Sequence, residues 1–224
     1  MLSIKKRTII EGIVVLLSCE RLMIKMVSSA NESVLLGIDP GTNLLGYGVI
    51  AVHGSEVSIL AMGVIDLRKC KDIYLKLGRI YERVSGLITS FHPTEMAIES
   101  PFFGKNVQSM LKLGRAQGVC IAAAVTGGVQ VYEYAPTKIK LSLTGNGVAS
   151  KKQVEMMLQK IFHLKTDAVV PFLDATDALA AAYCHYMQRQ NLQKSSPYST
   201  WSDFTRKNSA RIHQSIAKHE ENRK

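Results

Sequence analysis

The chain has 224 residues, 46% of them hydrophobic, with 28 Lys and Arg against 18 Asp and Glu, giving a formal charge of +10. That length accommodates one ordinary domain with extensions, and a basic balance suits an anionic partner such as nucleic acid. Four scattered cysteines, with no CxxC and no histidine at ligand spacing, exclude a zinc ribbon or disulfide framework and imply reduced thiols and a cytoplasmic location.

Residues 1–33 read as an N-terminal extension, either disordered or the product of a misassigned start. Lys5-Lys6-Arg7, the run from Ile9 to Leu17 and Ser18-Cys19 imitate an export signal. Glu11 interrupts that run, which is far too short to span a bilayer, and no other segment is apolar for long enough, so no membrane is expected. Met23 or Met26 would begin a chain that reaches its first strand within a few residues.

The body, residues 34–190, opens with an apolar run, Val34 to Ile38, closed by Asp39-Pro40-Gly41, the pattern of a strand and a tight turn. Gly46 to His53 and Val57 to Leu67 follow as strands whose short connection favours antiparallel pairing. Ile73, Leu77, Ile80, Val84, Leu87 and Ile88 fall on one face of a helix over 72–91, ended by His92-Pro93. Glu95 to Glu99 is a short strand with an acid at its end. Lys105 to Val125 predicts a long helix with Gly114 and Gly118 on one stripe, serving either packing against the sheet or close approach of another backbone. Val129 to Tyr134 is a fifth strand, Pro136 opens a short helix, and Ser150 caps another that runs to about Leu164. The last core helix begins near Asp174 and runs to about Gln188. Residues 191–224 are polar and basic and are expected to be a disordered tail. From Gln188 onward, eight basic residues stand against three acidic ones. The order of elements predicts an α/β layer fold, a mixed five-stranded sheet flanked by helices.

Four acids fall where chemistry is expected. Asp39 and Glu99 end hydrophobic strands, and Asp174 and Asp177 are spaced to share a helix face. Acids at strand ends project from the carboxyl edge of a sheet, where open α/β folds bind ligands. Crowded carboxylates require cations, and hard oxygen donors suit Mg²⁺ or Mn²⁺. Two such ions about 3.5–4 Å apart serve phosphodiester hydrolysis. Three of the acids also have a plainer use: Asp174 suits an N-cap, Asp177 a first-turn dipole and Asp39 a turn, whereas an apolar strand rarely ends on an acid such as Glu99 for packing reasons. Asp66 ends the third strand in the same way with no partner acids in view.

Gly37-Ile38-Asp39-Pro40-Gly41-Thr42 with Gly46-Tyr47-Gly48-Val49 resembles the opening motif of the RuvC Holliday junction resolvases. The resemblance extends through Ala97-Ile98-Glu99-Ser100-Pro101-Phe102-Phe103, Lys105-Asn106 and Leu111-Lys112-Leu113-Gly114-Arg115-Ala116-Gln117-Gly118. It continues in Tyr134-Ala135-Pro136 with Lys140, Gly145-Asn146-Gly147 with Lys151, and Asp174-Ala175-Thr176-Asp177-Ala178-Leu179-Ala180. It implies a ribonuclease H-like fold and a Mg²⁺-dependent endonuclease, with two ions per site and Mn²⁺ able to substitute. Such an enzyme nicks opposing strands of four-way junction DNA in recombination and repair. By the resemblance Asp39, Glu99, Asp174 and Asp177 are the catalytic, metal-holding acids. Phe102, Lys105, Lys140 and Lys151 contact DNA by the same carry-over, with Phe102 stacking on opened bases; by chemistry alone the lysines are ordinary surface charges. A homodimer built on the long glycine-bearing helix, and work with the branch-migration proteins RuvA and RuvB, are implied likewise. The two ends depart from the pattern.

Three rivals share features. An actin-like ATPase would match the Asp39 turn but needs a second nucleotide-binding half. An RNA-processing nuclease would use the same metal chemistry. A junction-binding module without catalysis would have no use for four crowded acids.

Overall fold

Side-chain alternation along the central strand sets the layers of the structure, a computed structural model. It describes residues 7–10, 13–16, 32–100, 106–164, 173–194 and positions 202, 205, 206, 208 and 209. In β3 (Glu32–Asp39), Leu36 and Ile38 enter one buried cluster and Leu35 the other. Gly37 and Asp39 share the parity of Leu35 and therefore its face. β4 (Leu44–His53) and β5 (Glu56–Asp66) pair antiparallel beyond β3, and Gly54, at φ +62°, makes the turn between them. On the other side of β3, β6 (Glu95–Glu99) and β7 (Gln130–Tyr134) run parallel, giving the order β5-β4-β3-β6-β7. This is the mixed five-stranded sheet the sequence predicts.

Two helices cover the Leu36 face. α1 (Ile73–Phe91) is capped by Asp72, whose carboxylate accepts from the Leu75 N–H, and it ends at His92 in the left-handed region. α2 (Val107–Thr126) is capped by Asn106, which accepts from the Ser109 N–H, so it starts two residues later than the sequence pattern implies. Ile80, Val84, Leu87, Ala116, Cys120 and Ala123 bury against Leu36, Ile38 and Val49. Each fully buried aliphatic side chain there contributes roughly 1.5–3 kcal/mol. Gly114 and Gly118 do not use their missing side chains against the sheet: a Cβ at either would meet nothing within 4 Å.

The opposite face carries α3 (Pro136–Thr144), α4 (Lys151–Ile161) and α5 (Leu173–Lys194). Ser150 and Gln153 close a full capping box at the start of α4. The alanines of α5, Ala175, Ala180, Ala181 and Ala182, are buried with Leu35, Ile50 and Ala97. Small residues on both sides bring helix and sheet unusually close. A Cβ on Gly46 would lie 1.9 Å from the Asp174 carbonyl oxygen, and one on Gly37 2.0 Å from that of Ala178.

Outside these layers, Arg7–Ile10 (β1) and Ile13–Leu16 (β2) form a separate antiparallel pair. The β-branched residues of that stretch favour strand. The chain divides into two compact units, Met1–Met187 and Gln188–Lys224. In the second unit, Ser202, Thr205, Arg206 and Ser209 have helical backbone, and the Thr205 hydroxyl donates to the Ser202 carbonyl at 3.0 Å. α5 continues to Lys194, beyond the predicted end near Gln188. Cys120 and Cys184 are buried free thiols in the core. Among the described residues, no helix is long and apolar enough to cross a membrane.

Candidate active site

Four acids converge because three elements end at one place. Asp39 is the last residue of β3, Glu99 the last of β6, and the strands lie side by side in parallel register, Ile38 beside Ile98. Both acids have the parity that faces α5. The close contact at Gly46, which pairs with Asp39 across the β3–β4 ladder, seats the first turn of α5 directly above. One carboxylate oxygen each from Asp39, Asp174 and Asp177 then lies within 4.8 Å of the others. Glu99 stands outside that group of three but lines the same cavity as Asp39 and Asp177, a hollow of about 120 Å³. Asp174 sits inside the first turn of α5. Its carboxylate joins the acid cluster.

Burial pushes the Asp39 carboxyl up to about 8, with Glu99, Asp177 and Asp174 pushing the same way and Lys151 opposing. Glu99 is raised too, first by burial and then by Asp177, against the pull of Lys151 and Lys140. Burial alone would lower the Lys151 ammonium, but its hydrogen bond and ion pair with Asp177, and the charges of Asp39 and Asp174, raise it overall. Two ammonium groups therefore face four carboxyls, and Lys151 pairs directly with one of them. Strand ends that place two carboxylates beside two more on a helix store electrostatic energy that a divalent cation would release. The donors are all hard oxygen atoms, and among the described residues no histidine or thiol joins them, which suits a hard divalent cation.

Lys140 and Lys151 line the same cavity from α3 and α4, with Pro136, Ile139, Val154 and Ala180 forming its apolar wall. Phe102 and Lys105 lie outside the described residues. Asp66 is elsewhere and is held by Arg68 at 2.7 Å, so it is a structural acid. Sequence reasoning missed the direct Lys151–Asp177 pair and the glycine seat under α5. The signal for the seat is visible in retrospect: Gly37 opposite Ala178 and Ala182, and Gly46 opposite Ala175, small residues on both surfaces of one interface.

A second polar group occupies the same helix three turns on. His185, 2% exposed, meets the Tyr134 hydroxyl through Nδ1 at 2.7 Å and Glu95 through Nε2 at 2.9 Å. Donation from Nε2–H to the carboxylate and from the Tyr134 O–H to Nδ1 satisfies all three with a neutral ring.

The family model for crossover junction endodeoxyribonuclease RuvC matches residues 35–185. A protein of that name from Bacteroides fragilis is 54% identical over 187 residues, spanning 84% of this chain and 100% of its own length. One from Porphyromonas gingivalis is 50% identical, covering 82% and 99%. Among solved structures, Thermus thermophilus RuvC in complex with Holliday junction substrate matches with TM-score 0.66 and 36% identity, over 71% of this chain and 96% of that one. The yeast mitochondrial resolvase Ydc2, at 14% identity and TM-score 0.56, shares the fold.

Proposed function

Because this chain belongs to the RuvC family of crossover junction endodeoxyribonucleases, we propose that it resolves four-way DNA junctions with the acid cluster of Asp39, Glu99, Asp174 and Asp177. It is a DNA endonuclease, a phosphodiester hydrolase of recombination and repair. The observation that carries the site assignment is the convergence of three aspartate oxygens within 4.8 Å of one another, with Glu99 in the same hollow.

Asp39, Asp174 and Asp177 would hold divalent ions, with Glu99 completing the set; two Mg²⁺ ions is the reading, and Mn²⁺ can take their place. When bound, such ions make water nucleophilic near neutral pH and neutralise the departing oxygen. Asp39 and Glu99, both pushed up by burial and by neighbouring acids, would bind such ions as carboxylates. Lys151 holds Asp177 in place and, with Lys140, turns two ammonium groups toward the hollow where a scissile phosphate would lie. Ala180, Ile139 and Val154 bound the hollow on its dry side. Phe102 and Lys105, by family resemblance, contact the strands at the junction centre.

A homodimer is part of this reading, because paired nicks in two-fold related strands call for two-fold related sites. Its support is the outer stripe of α2, where Val107, Leu111 and Val125 are exposed beside the unfilled Gly114 and Gly118. Partnership with RuvA and RuvB, a cytoplasmic location, and a tail that adds salt-sensitive DNA affinity belong to the same proposal. The test is cleavage of a labelled four-way junction with Mg²⁺, beside linear duplex and an Asp177→Asn control. Paired nicks confined to the junction and lost in the variant are expected. Binding without cleavage under any divalent ion would sink the catalytic reading.

A further inference from the structure

A cavity of about 370 Å³, larger than the acid hollow, opens where the β3–β4 connection meets the starts of α1 and α2. Its polar lining is Thr42, Asn43, Lys71, Lys76, Ser109 and Lys112, and no acid lines it. Three ammonium groups, two hydroxyls and an amide around one opening form a receptor for an oxyanion. The three lysines differ in their engagement. Lys76 donates to the Thr42 carbonyl at 2.7 Å and to Asn43 Oδ1 at 3.1 Å, which pins the connection to α1. Lys71 and Lys112 are exposed and form no ion pair or hydrogen bond with any described residue. Like charges gathered without a carboxylate repel one another, and a bound anion would relieve that repulsion.

Thr42 lies three residues beyond Asp39 on the same connection, so one short stretch of chain links the cavity to the acid hollow. Ser109 and Lys112 sit on α2 off the stripe of Val107, Leu111, Gly114 and Gly118, so an anion held there leaves that stripe free.

We propose that this basic cavity is a second phosphate site, distinct from the acid hollow, which holds a backbone phosphodiester of the bound DNA while Lys76 fixes the loop leading from Asp39. The assignment rests on the junction-cutting reading for its ligand. A phosphate caught beside the loop that follows Asp39 would anchor DNA relative to the acid without touching the reacting atoms. Lys71 and Lys112 are therefore binding residues, and Lys76 is a positioning residue.

The experiment measures four-way junction affinity of the full chain against salt for wild type, Lys71→Ala/Lys112→Ala, and Lys160→Ala as a surface-charge control. Ca²⁺ replaces Mg²⁺ to suspend cleavage. Each lost phosphate contact should flatten the plot of log affinity against log salt by about 0.9. The double variant is expected to flatten it by about 2 and to bind roughly tenfold more weakly at moderate salt, with the control unchanged. An unchanged slope in a double variant that melts like wild type would overturn the second site. Stabilisation of wild type alone by inorganic phosphate, with no slope change on DNA, would also overturn it, by assigning the cavity to a free anion. Failure of the underlying reading is separate: wild type would then neither prefer a junction to linear duplex nor cut it with Mg²⁺.

Discussion

Glu95 and Glu99 stand at opposite ends of β6, on the same face of the sheet and under the same helix. Glu95 meets His185, itself tied to Tyr134, so both ring nitrogens and the Tyr134 hydroxyl have partners at that buried end. Glu99 meets Asp39 and Asp177, and burial and like charge raise it together. One end of the strand is arranged for the folded state, the other for something the folded state alone does not supply. What separates a structural acid from a working one here is the company each keeps; residue type, strand and face are the same.

That contrast can be broken most decisively by exchanging charge at each end. Glu99→Gln is expected to lower junction cleavage by about 10²–10³-fold, the scale of losing one electrostatic contact to a transition state. Its metal-free melting temperature should hold or rise, because a repelling charge is gone. Calorimetry and single-turnover cleavage on one preparation check both signs, and a melting drop with normal cleavage would reverse the roles of the two ends.

Gly46→Ala addresses what seats the acids. A methyl group 1.9 Å from the Asp174 carbonyl must displace α5 or the strand, at about 3 kcal/mol. Moving Asp174 and Asp177 by about 1 Å should also cost cleavage near 10²-fold. Glu95→Gln, by contrast, is expected to lower stability by about 1–3 kcal/mol, the cost of a spoiled buried hydrogen bond, with cleavage at saturating junction close to wild type. Urea denaturation midpoints measure both variants.

The most gradual effect is a pH slope. Asp39 has a folded value near 8 against 3.8 unfolded, so between those values the native state holds a proton that the unfolded chain has released. Stability of the metal-free protein should therefore fall as pH rises through that window, by at most about 1.4 kcal/mol per unit. Melting curves at pH 5 and 7.5 should show the fall, Asp39→Asn should flatten it, and Mg²⁺ should oppose it increasingly at the higher pH.

The sequence made much of this visible. The alternation of Val34 to Ile38 and the apolar face of Ile80, Val84 and Leu87 are periodic signals, and both elements form as read. The four acids were legible because each ends or begins an element, where a packing role is least expected. The Glu95–His185–Tyr134 network was not, because its members are 90 and 51 positions from one another along the chain and nothing local marks them as partners. Gly114 and Gly118 misled for a related reason: a missing side chain shows that closeness is permitted, not which neighbour uses it. The Asn106 cap was overlooked because Lys105 extends the helical pattern by propensity, while the actual boundary is set by one side-chain hydrogen bond.

Helix α5 joins the two ends of this face as a single rod. Asp174 and His185 are eleven residues apart, close to three full turns at 3.6 residues per turn, which is why one surface of the helix serves both. Adding or deleting a single residue between Asp177 and His185 would swing one end by about 100° relative to the other. Either the acids or the histidine would then point away from the sheet. That interval of the chain is consequently fixed in length: among relatives it can drift in composition, but it cannot accept an insertion of one or two residues.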